Sequence, residues 1–442
     1  MRETGENTTV IDAFDDDDPF DLNLSLGLRQ TWQSSNIRRE SQLFQPGLST
    51  GNYIPSNENV AKYTQSRTVM EIGADVGLYK DLALSFRLPF ILSDVRELGD
   101  LDGSSANQQR FQDPTGDQLF NVPFKSPTRS GVDWFSLGLA YAIYNQQRDA
   151  SKPTWVIGVD GQFAVGSRLH ACNENAAVKC PDPSNPGANR DPGISRGIHS
   201  LILHSIFSRR FGYLEPYTGL RMQAQFPQSN SDFGATNDLK GALLNSPPLI
   251  GTFLMGVEII PWENRESFQR VVADLKVRGS YHSPGRDYSE LFDALGSSQA
   301  RSLRAPNPGA YRGDGAGGSV ADSSVAPVFF SGITDQHAFG TIGGSVGLTW
   351  QAGEYVKFTA GTGLTFVQSH LITAADACNP DFKGDANASG PCRSGSSAPG
   401  SPPALTGIPN PNHRTVIDTP GRRFSVDDTT IVDLWLSGVV MF

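Results

Sequence analysis

The sequence predicts an all-β fold, in which a single antiparallel up-and-down sheet of about twelve strands closes into a β-barrel. Three observations favour this fold. Apolar residues alternate with polar residues or glycine in segments of at least roughly nine to eleven residues. The connections between these segments alternate strictly between short and long. Aromatic residues gather near both ends of the segments.

The composition argues against two classes of protein. The chain has 442 residues, of which 19% are charged, and no window approaches the roughly 18 consecutive apolar residues that a transmembrane helix needs. The formal net charge of −10 argues against a nucleic-acid-binding protein, because the phosphate backbone attracts basic surfaces. The low mean hydropathy of −0.31 is compatible with a barrel, since half of each strand is hidden from lipid.

The first three strands show the alternation most clearly. Apolar side chains occupy every second position from Phe20 to Leu28, and polar residues or glycine lie between them. The same pattern runs from Met70 to Leu78 and, after a turn at 79–81, continues from Leu82 to Phe90. A period of two predicts strands with one apolar face. Further segments of this kind lie at 135–143, 155–165, 201–211, 214–226, 249–259, 271–281, 342–350, 356–366 and 430–442.

The connections place every long loop on one edge of the predicted sheet. This asymmetry is typical of transmembrane barrels, which have short periplasmic turns and long extracellular loops, and a soluble sandwich has no reason for it. Residues 19–442 are therefore predicted to form one transmembrane barrel. Residues 1–18, which end in Asp15–Asp18, are predicted to be an acidic, disordered tail on the periplasmic side. Short turns lie near 79–81, 145–153, 211–213, 262–268 and 351–354, and long loops cover 34–66, 93–132, 167–196, 228–246, 284–335 and 372–428.

The loop at 284–335 contains a predicted helix. Asp287 and Glu290 form a capping-box pattern ahead of apolar residues with helical spacing, and Gly296 follows them. A short helix within 287–296 is therefore expected on the extracellular side.

The four cysteines form two pairs that are close in sequence, Cys172 with Cys180 and Cys378 with Cys392. Neither pair has the spacing of a metal site, and both lie in segments rich in Pro, Gly, Asn and Asp. Two local disulfides in loops are the simplest interpretation, and they imply an oxidising compartment. No cofactor and no metal site are predicted.

The last strand carries a resemblance to a known family. In the segment 430–442, alternate apolar residues run up to the carboxyl-terminal Phe442. This strand resembles the closing strand of bacterial outer-membrane β-barrels of the porin and transporter type, although Ser437 stands where that family usually has glycine. The resemblance implies that this strand pairs with the first strand, and that the barrel-assembly machinery recognises it through Leu436, Val440 and Phe442.

The resemblance also implies a location in the outer membrane of a Gram-negative cell, in contact with lipid and lipopolysaccharide. No apolar signal segment follows Met1, so we expect the mature form of a protein whose signal peptide has been cleaved. The Asp17-Asp18-Pro19-Phe20 entry to the first strand is similar to that of uncharacterised barrels from predatory and gliding deltaproteobacteria, a likeness that implies no activity.

Charged residues opposite the lipid-facing positions are expected to point into the barrel, because charge is costly in lipid. In a ring of about twelve strands, the basic residues of strands seven and nine lie across the lumen from the acidic residues of strands two and twelve. The predicted pore-lining charges are Glu71, Asp75, Arg87, Asp160, Arg221, Glu258, Asp274, Lys276, Arg278 and Asp433.

Two arrangements of these charges remain open. Opposed walls would set a transverse field in a narrow polar channel for passive or facilitated diffusion of small hydrophilic solutes, which is the function that we favour. Alternatively, the charges form a salt-bridge network that fills the lumen, with Glu258 and Asp274 neutralising the basic cluster. About twelve strands fall between barrels of about eight, which side chains fill, and barrels of about sixteen, which enclose a channel.

An enzyme is not predicted. Outer-membrane phospholipase is also a twelve-stranded barrel, with His and Ser in the order His-x-Ser, whereas this chain has the reversed Ser280-x-His282 near the external rim. The alternative to a channel is a structural, anchoring or adhesion role in a cell-envelope complex. In that role the long loops and the acidic tail would bind protein partners at the surface or in the periplasm.

Overall fold

The computed structural model describes residues 6–8, 10–11, 13, 21–43, 54–101, 111–175, 179–185, 187–229, 231–233, 246–316, 318–379, 389–392 and 407–442. The predicted all-β fold is confirmed, because twelve antiparallel strands form one closed barrel. These strands are β1 (Leu22–Leu43), β2 (Ile54–Tyr79), β3 (Leu82–Gly99), β4 (Trp134–Tyr144), β5 (Thr154–Ala164), β6 (Ile198–Ser208), β7 (Leu214–Pro227), β8 (Ile250–Asn264), β9 (Gln269–His282), β10 (Phe339–Gln351), β11 (Val356–Val367) and β12 (Phe424–Met441).

Each barrel strand pairs with its neighbours in the chain, and β12 pairs with β1 to close the sheet. Leu28 lies opposite Leu436, so the apolar faces of the first and last strands are continuous. The backbone N–H of Phe442 donates to the carbonyl oxygen of Leu22 at 2.9 Å. The predicted pairing of the last strand with the first is therefore confirmed, and the even strand count places β1 and β12 with their free ends on the short-turn side.

The outer face of the barrel is apolar and exposed. Leu26 and Leu220 are 56% and 60% exposed, although a soluble protein buries a contiguous apolar surface of this kind. An apolar belt with aromatic rings at both edges is the surface that an outer-membrane barrel presents to lipid. Exposed aromatic residues include Tyr79, Tyr144, Phe211, Tyr213, Trp262, Trp350, Tyr355 and Phe442 at the short-turn edge, and Trp32, Phe163, Phe226, Tyr281 and Phe366 at the long-loop edge.

Several strands are longer than the alternation predicts, which corrects three predicted loops, including 372–428, inside which β12 begins at Phe424. β1 continues to Leu43 and β2 begins at Ile54, so most of the predicted loop 34–66 is paired strand. β3 likewise continues to Gly99, inside the predicted loop 93–132. Beyond the lipid the outward positions are no longer required to be apolar, so the period-two signal fades while backbone hydrogen bonding continues.

These extensions form the wall of an extracellular cap. The cap comprises the extended ends of β1, β2, β3 and β12 and the long loops between β3 and β4, β5 and β6, β9 and β10, and β11 and β12. The β9–β10 loop contains α1 (Phe292–Gly296) and α2 (Arg301–Arg304). No helix in the described part of the chain is long and apolar enough to cross a membrane. Buried apolar residues of the cap include Ile37, Tyr63, Leu98, Phe111, Phe120, Leu295, Phe330, Ile372, Ile417 and Phe424.

The helix predicted within 287–296 is present as α1, but its predicted capping box does not form. Leu291 stands at the N-cap, and no side chain caps the helix. The carboxylate of Asp287 accepts a hydrogen bond from the backbone N–H of Tyr288 and from the Arg196 guanidinium instead. The Asp287 side chain therefore pairs with Arg196 and is not free to cap the N-terminus of α1 in the way that the capping-box pattern predicts.

Candidate functional site: the barrel lumen

The lumen collects the charged side chains that the sequence predicts to line a pore. They occupy strand positions that alternate with the exposed lipid-facing residues, so they point inward. Their distribution is Glu71 and Asp75 on β2, Arg87 on β3, Asp160 on β5, Arg221 on β7, Glu258 on β8, Asp274, Lys276 and Arg278 on β9, and Asp433 on β12.

Two of the acids pair with a base on a neighbouring strand. The guanidinium of Arg87 lies 2.7 Å and 2.9 Å from the two carboxylate oxygens of Asp75. The Oδ2 atom of Asp160 lies 3.2 Å from Nδ1 of His204. Of the acidic wall predicted on β2 and β12, Asp75 is therefore already matched by a cation.

Asp274 and Glu258 have different partners. Lys276 Nζ lies 3.4 Å from Asp274 Oδ2, and the Tyr217 hydroxyl donates to Asp274 Oδ1 at 2.6 Å. Asp274 thus offsets the charge of Lys276, as the salt-bridge arrangement expects. Glu258 is buried opposite Glu215 in the sheet register and accepts hydrogen bonds from the N-terminal tail.

Other lumen charges remain exposed to water. Arg29, Arg221 and Arg278 are exposed, and so is Glu71. Arg278 donates to the Thr365 hydroxyl at 3.1 Å. Within the described residues, none of these arginines has a carboxylate at ion-pair distance. Exposed and unpaired charges inside a barrel require water around them, so the middle of the lumen is hydrated.

A wall of small residues borders a lumen cavity of about 330 Å³. The inward positions of β10 and β11 are mainly Gly, Ser and Thr, and the indole of Trp435 lies against them. A Cβ atom on Gly361 would lie 2.3 Å from Cζ2 of Trp435, so only glycine allows this close packing. Lining residues are Gly344, Ser345, Gly347, Thr349, Thr359, Gly363 and Thr365, together with Arg29, Lys276, Arg278, Asp433 and Trp435.

Residues Glu6–Thr8 of the N-terminal tail lie inside the periplasmic end of the barrel. Lys357 Nζ donates to Glu6 Oε2 at 2.8 Å. Thr8 is 3% exposed, and its hydroxyl lies 2.9 Å from Oγ of Ser208. This segment narrows the lumen beside the cavity, because Glu6 and Asn7 are among the cavity's lining residues.

The position of Glu6–Thr8 corrects the expectation of a disordered tail at these residues. The backbone of Ala13 also pairs with that of Lys80 at the first turn, through N···O distances of 3.1 Å and 2.8 Å. The remaining element of that expectation, Asp15–Asp18, lies outside the described residues. Nothing local in a polar segment indicates an inward course, because its partners are hundreds of positions away in the sequence.

The β9–β10 loop crosses the extracellular mouth. Leu295 of this loop shares a buried apolar core with Ile37 of β1 and Tyr63 of β2, three to five strands away around the ring. Gln33 of β1 also donates to Glu290 Oε1 of the loop at 3.1 Å. The lumen is therefore narrowed at both ends, by the tail on the periplasmic side and by the cap on the extracellular side.

Asp293 joins three loops of the cap. Its carboxylate is 4% exposed and lies 3.0 Å and 2.6 Å from the Nη atoms of Arg129. It also accepts hydrogen bonds from the Ser126 hydroxyl and from the backbone N–H of Cys172, both at 2.9 Å. Because the partners come from the β3–β4 and β5–β6 loops, one buried carboxylate fixes the β9–β10 loop against both.

Burial in the cap shifts the titration of several side chains. It raises the pKa of Asp418 to about 7 and the pKa of Asp335 to about 6. It also raises the pKa of Glu290. Burial lowers the pKa of His370 to about 4, because the charged imidazolium is the form that loses hydration. Burial thus favours the uncharged forms of Asp418, Asp335, Glu290 and His370, whereas paired groups such as Asp94 keep a lowered pKa beside Arg96.

The predicted disulfides are both formed, Cys172–Cys180 and Cys378–Cys392, and both lie in the cap. Each one closes a short loop within its own segment, as the spacing predicts. Among the described residues, no group of three or more His, Cys, Asp or Glu side chains could hold a metal ion.

The Ser280-x-His282 pair lies at the external rim of the lumen. The Ser280 hydroxyl lies 2.9 Å from that of Thr252 on β8. The His282 ring stacks on Phe339 of β10, with the ring centroids 4.3 Å apart. These contacts engage the two side chains with neighbouring strands, which fits a structural role at the rim.

The fold is similar to that of several solved structures of outer-membrane channels. No family model matches the chain, and no curated protein matches it. The COG4313 outer membrane channel from Pseudomonas putida F1 has 9% identity over 100% of both chains, with a TM-score of 0.38. A Pseudomonas aeruginosa FadL homologue has 8% identity over 95% of this chain and 90% of its own, with a TM-score of 0.34. A mutant of the TodX monoaromatic hydrocarbon channel has 10% identity over 95% and 89%, with a TM-score of 0.27.

The geometry of the barrel, rather than these distant likenesses, establishes the kind of protein. Its sheet is closed without edges, so every strand satisfies its backbone hydrogen bonds inside a membrane. Its outer belt is apolar with aromatic edges, and its interior is charged. The chain is therefore a closed twelve-stranded β-barrel whose outer surface suits a lipid bilayer and whose interior is polar.

Proposed function

We propose that this protein is a narrow polar channel for passive or facilitated diffusion of small hydrophilic solutes. The observation that carries the proposal is the set of exposed charges inside the barrel, Arg29, Glu71, Arg221 and Arg278. A lumen filled by a salt-bridge network would have matched and buried them. Asp75 and Asp274 are matched by Arg87 and Lys276, whereas these four charges stay exposed, so the salt bridges account for only part of the lumen's charge.

Passage requires movement at the two narrow points. The cap holds the extracellular mouth through buried apolar contacts and through Asp293, and Glu6–Thr8 narrow the periplasmic end through polar contacts. Polar contacts exchange readily with water, whereas a buried apolar core does not. We therefore expect brief, infrequent openings of the purified protein.

The test is reconstitution. Liposomes that contain the protein should swell in L-arabinose, and planar bilayers should show discrete conductance steps. Arg278→Glu reverses a charge in the hydrated lumen and should shift the reversal potential in a salt gradient towards cation selectivity. Arg312→Glu makes the same change at an exposed position of the cap and should leave selectivity unaltered. Absence of both swelling and conductance would refute the channel, and equal effects of the two variants would refute the role of Arg278.

The structure of the cap is the observation that favours a second function, anchoring or adhesion. The cap has its own apolar core and two disulfides, more structure than the loops need merely to connect strands. A rigid extracellular surface of this kind suits binding to a protein of the cell envelope. Crosslinking in intact cells from a photoreactive residue at exposed Arg312 tests it. A discrete crosslinked protein supports anchoring, and free monomer alone argues against it.

A further inference from the structure

The position of Glu6 suggests that the lumen contains a site for the carboxylate of a small organic anion. The Glu6 carboxylate is held from two sides, by Lys357 Nζ at 2.8 Å and by Arg270 Nη2 at 3.8 Å. Lys357 lies on β11 and Arg270 on β9, with β10 between them. Two cations on separate strands thus converge on one carboxylate that belongs to a tail rather than to the barrel wall.

Lys357 needs an anion more than Glu6 needs Lys357. The Lys357 side chain is 18% exposed, and Arg270 beside it is 4% exposed. A half-buried lysine that loses its carboxylate is destabilising, whereas the Glu6 carboxylate can return to water. Among the described residues, Glu6 is the acid that pairs with Lys357. The cation site therefore belongs to the barrel, and Glu6 behaves as an attached ligand.

The site is continuous with the hydrated lumen. Glu6 and Asn7 border the 330 Å³ cavity, whose other walls carry Arg29 and Arg278. Lys276 donates to the side-chain oxygen of Asn7 at 2.8 Å, beside Glu6. A solute that crosses the cavity thus meets exposed arginines first and then the cations around Glu6. Carboxylates of Asp274 and Asp433 border the same cavity, so the preference for an anion comes from Lys357 and Arg270 at the Glu6 position rather than from the cavity as a whole.

The remaining contacts of the tail do not compete with an anion at this site. Asn7 and Thr8 bond the buried carboxylates of Glu258 and Glu215 on β8 and β7, through neutral amide or hydroxyl groups. These acids repel an anion from their side of the barrel. They therefore leave the Lys357 side as the position where a carboxylate is stabilised.

We propose that Lys357 and Arg270 form a binding site for the carboxylate of a small organic anion in transit, and that Glu6 occupies it when no such anion is present. The inference rests on the proposed channel function and assigns small organic anions as its substrate class. An incoming carboxylate replaces Glu6 on the two cations, and the tail then loses its only acidic contact with that wall among the described residues. The substrate thus opens the constriction that it has to pass.

The experiment compares open probability in planar bilayers in potassium chloride and in potassium acetate at equal concentration. Acetate presents the same paired oxygens as Glu6, and chloride does not. In the wild type, acetate should raise the open probability about tenfold, the factor that corresponds to one charge-assisted hydrogen bond. Glu6→Gln should open equally in both salts, and Lys357→Gln should lose the acetate response. Glu266→Gln makes the change of Glu6→Gln in an exposed periplasmic turn and should behave as the wild type.

Several outcomes separate this inference from the channel function. Conductance with equal open probability in the two salts for the wild type refutes the anion site and leaves the channel intact. Glu6→Gln gating that matches the wild type refutes the role of Glu6. If no variant conducts, saturation-transfer NMR from detergent-solubilised Glu6→Gln protein to acetate still tests the site. Saturation transfer from Glu6→Gln protein to acetate supports the site if adding Lys357→Gln to that protein abolishes it. Equal transfer from the single and the double variant, or none from either, overturns the site.

Discussion

Replacement of Asp293 by Asn should loosen the extracellular cap without unfolding the barrel. The substitution leaves the shape of the side chain and removes the charge that matches Arg129, which is 2% exposed. Removal of one member of a buried, hydrogen-bonded ion pair typically costs about 3–5 kcal/mol. The Asn amide also turns a donor towards Arg129 or towards the backbone N–H of Cys172, so at least one hydrogen bond is lost.

A cost of about 3–5 kcal/mol corresponds to an increase of roughly two to four orders of magnitude in the population of the loosened cap. Asp293→Asn should therefore show faster proteolysis of the β9–β10 loop and longer open times in bilayers. Its heat-dependent gel mobility should match the wild type, because among the described residues the barrel strands reach this carboxylate by an ion pair only through Arg96 of β3, at 4.0 Å. Asp117→Asn is the matched control, since its pair with Arg301 is exposed and contributes little. Equal protease resistance of the two variants would show that Asp293 does not hold the cap.

The other predictions concern the wall, the cap and assembly. Gly361→Ala forces Trp435 away from the β11 wall, and a typical overpacking cost is about 1–3 kcal/mol; it should lower the thermal midpoint and shift the tryptophan emission, while Gly353→Ala, with open space around it, changes neither. Burial raises the pKa of Asp418 to about 7, so its protonated side chain contributes to the stability of the folded cap below about pH 4, and this contribution is lost as the pH rises to about 7. Between these pH values, protection of the cap from protease should therefore fall less in Asp418→Asn than in the wild type. Parallel profiles of the two proteins would contradict this. Phe442→Ala should lower the yield of folded protein in the outer membrane while refolding in detergent is retained, and an unchanged yield would contradict recognition of Phe442 by the assembly machinery.

The lumen was predictable in part because a strand has only two faces. Once the lipid-facing residues are known, the charges between them must point inward, and the structure places every predicted pore-lining residue there. Pairing across strands was not predictable to the same degree. Whether Asp75 contacts Arg87, or Asp274 contacts Lys276, depends on register and rotamer, which no single strand encodes.

The structural role of Glu6 had no signal in the sequence. A polar, acidic segment before the first strand has the composition of a solvated tail. It enters the barrel because the ring of strands brings Lys357 and Arg270 together at the periplasmic end. Asp293 is similar, since its partners Arg129 and Cys172 belong to other loops that only the closed barrel brings to one mouth.

The sequence by itself determined the number of strands, their apolar faces, the edge that carries the long loops, the disulfide partners and the pairing of the last strand with the first. These features follow from local alternation and short spacing, which lipid imposes on each strand separately. Only the tertiary structure decided how far the strands extend beyond the lipid, that the loops build a cap with a core, and that Glu6–Thr8 lie in the lumen. Those features depend on contacts between segments far apart in the chain, where water or protein replaces lipid and the period of two no longer constrains the residues.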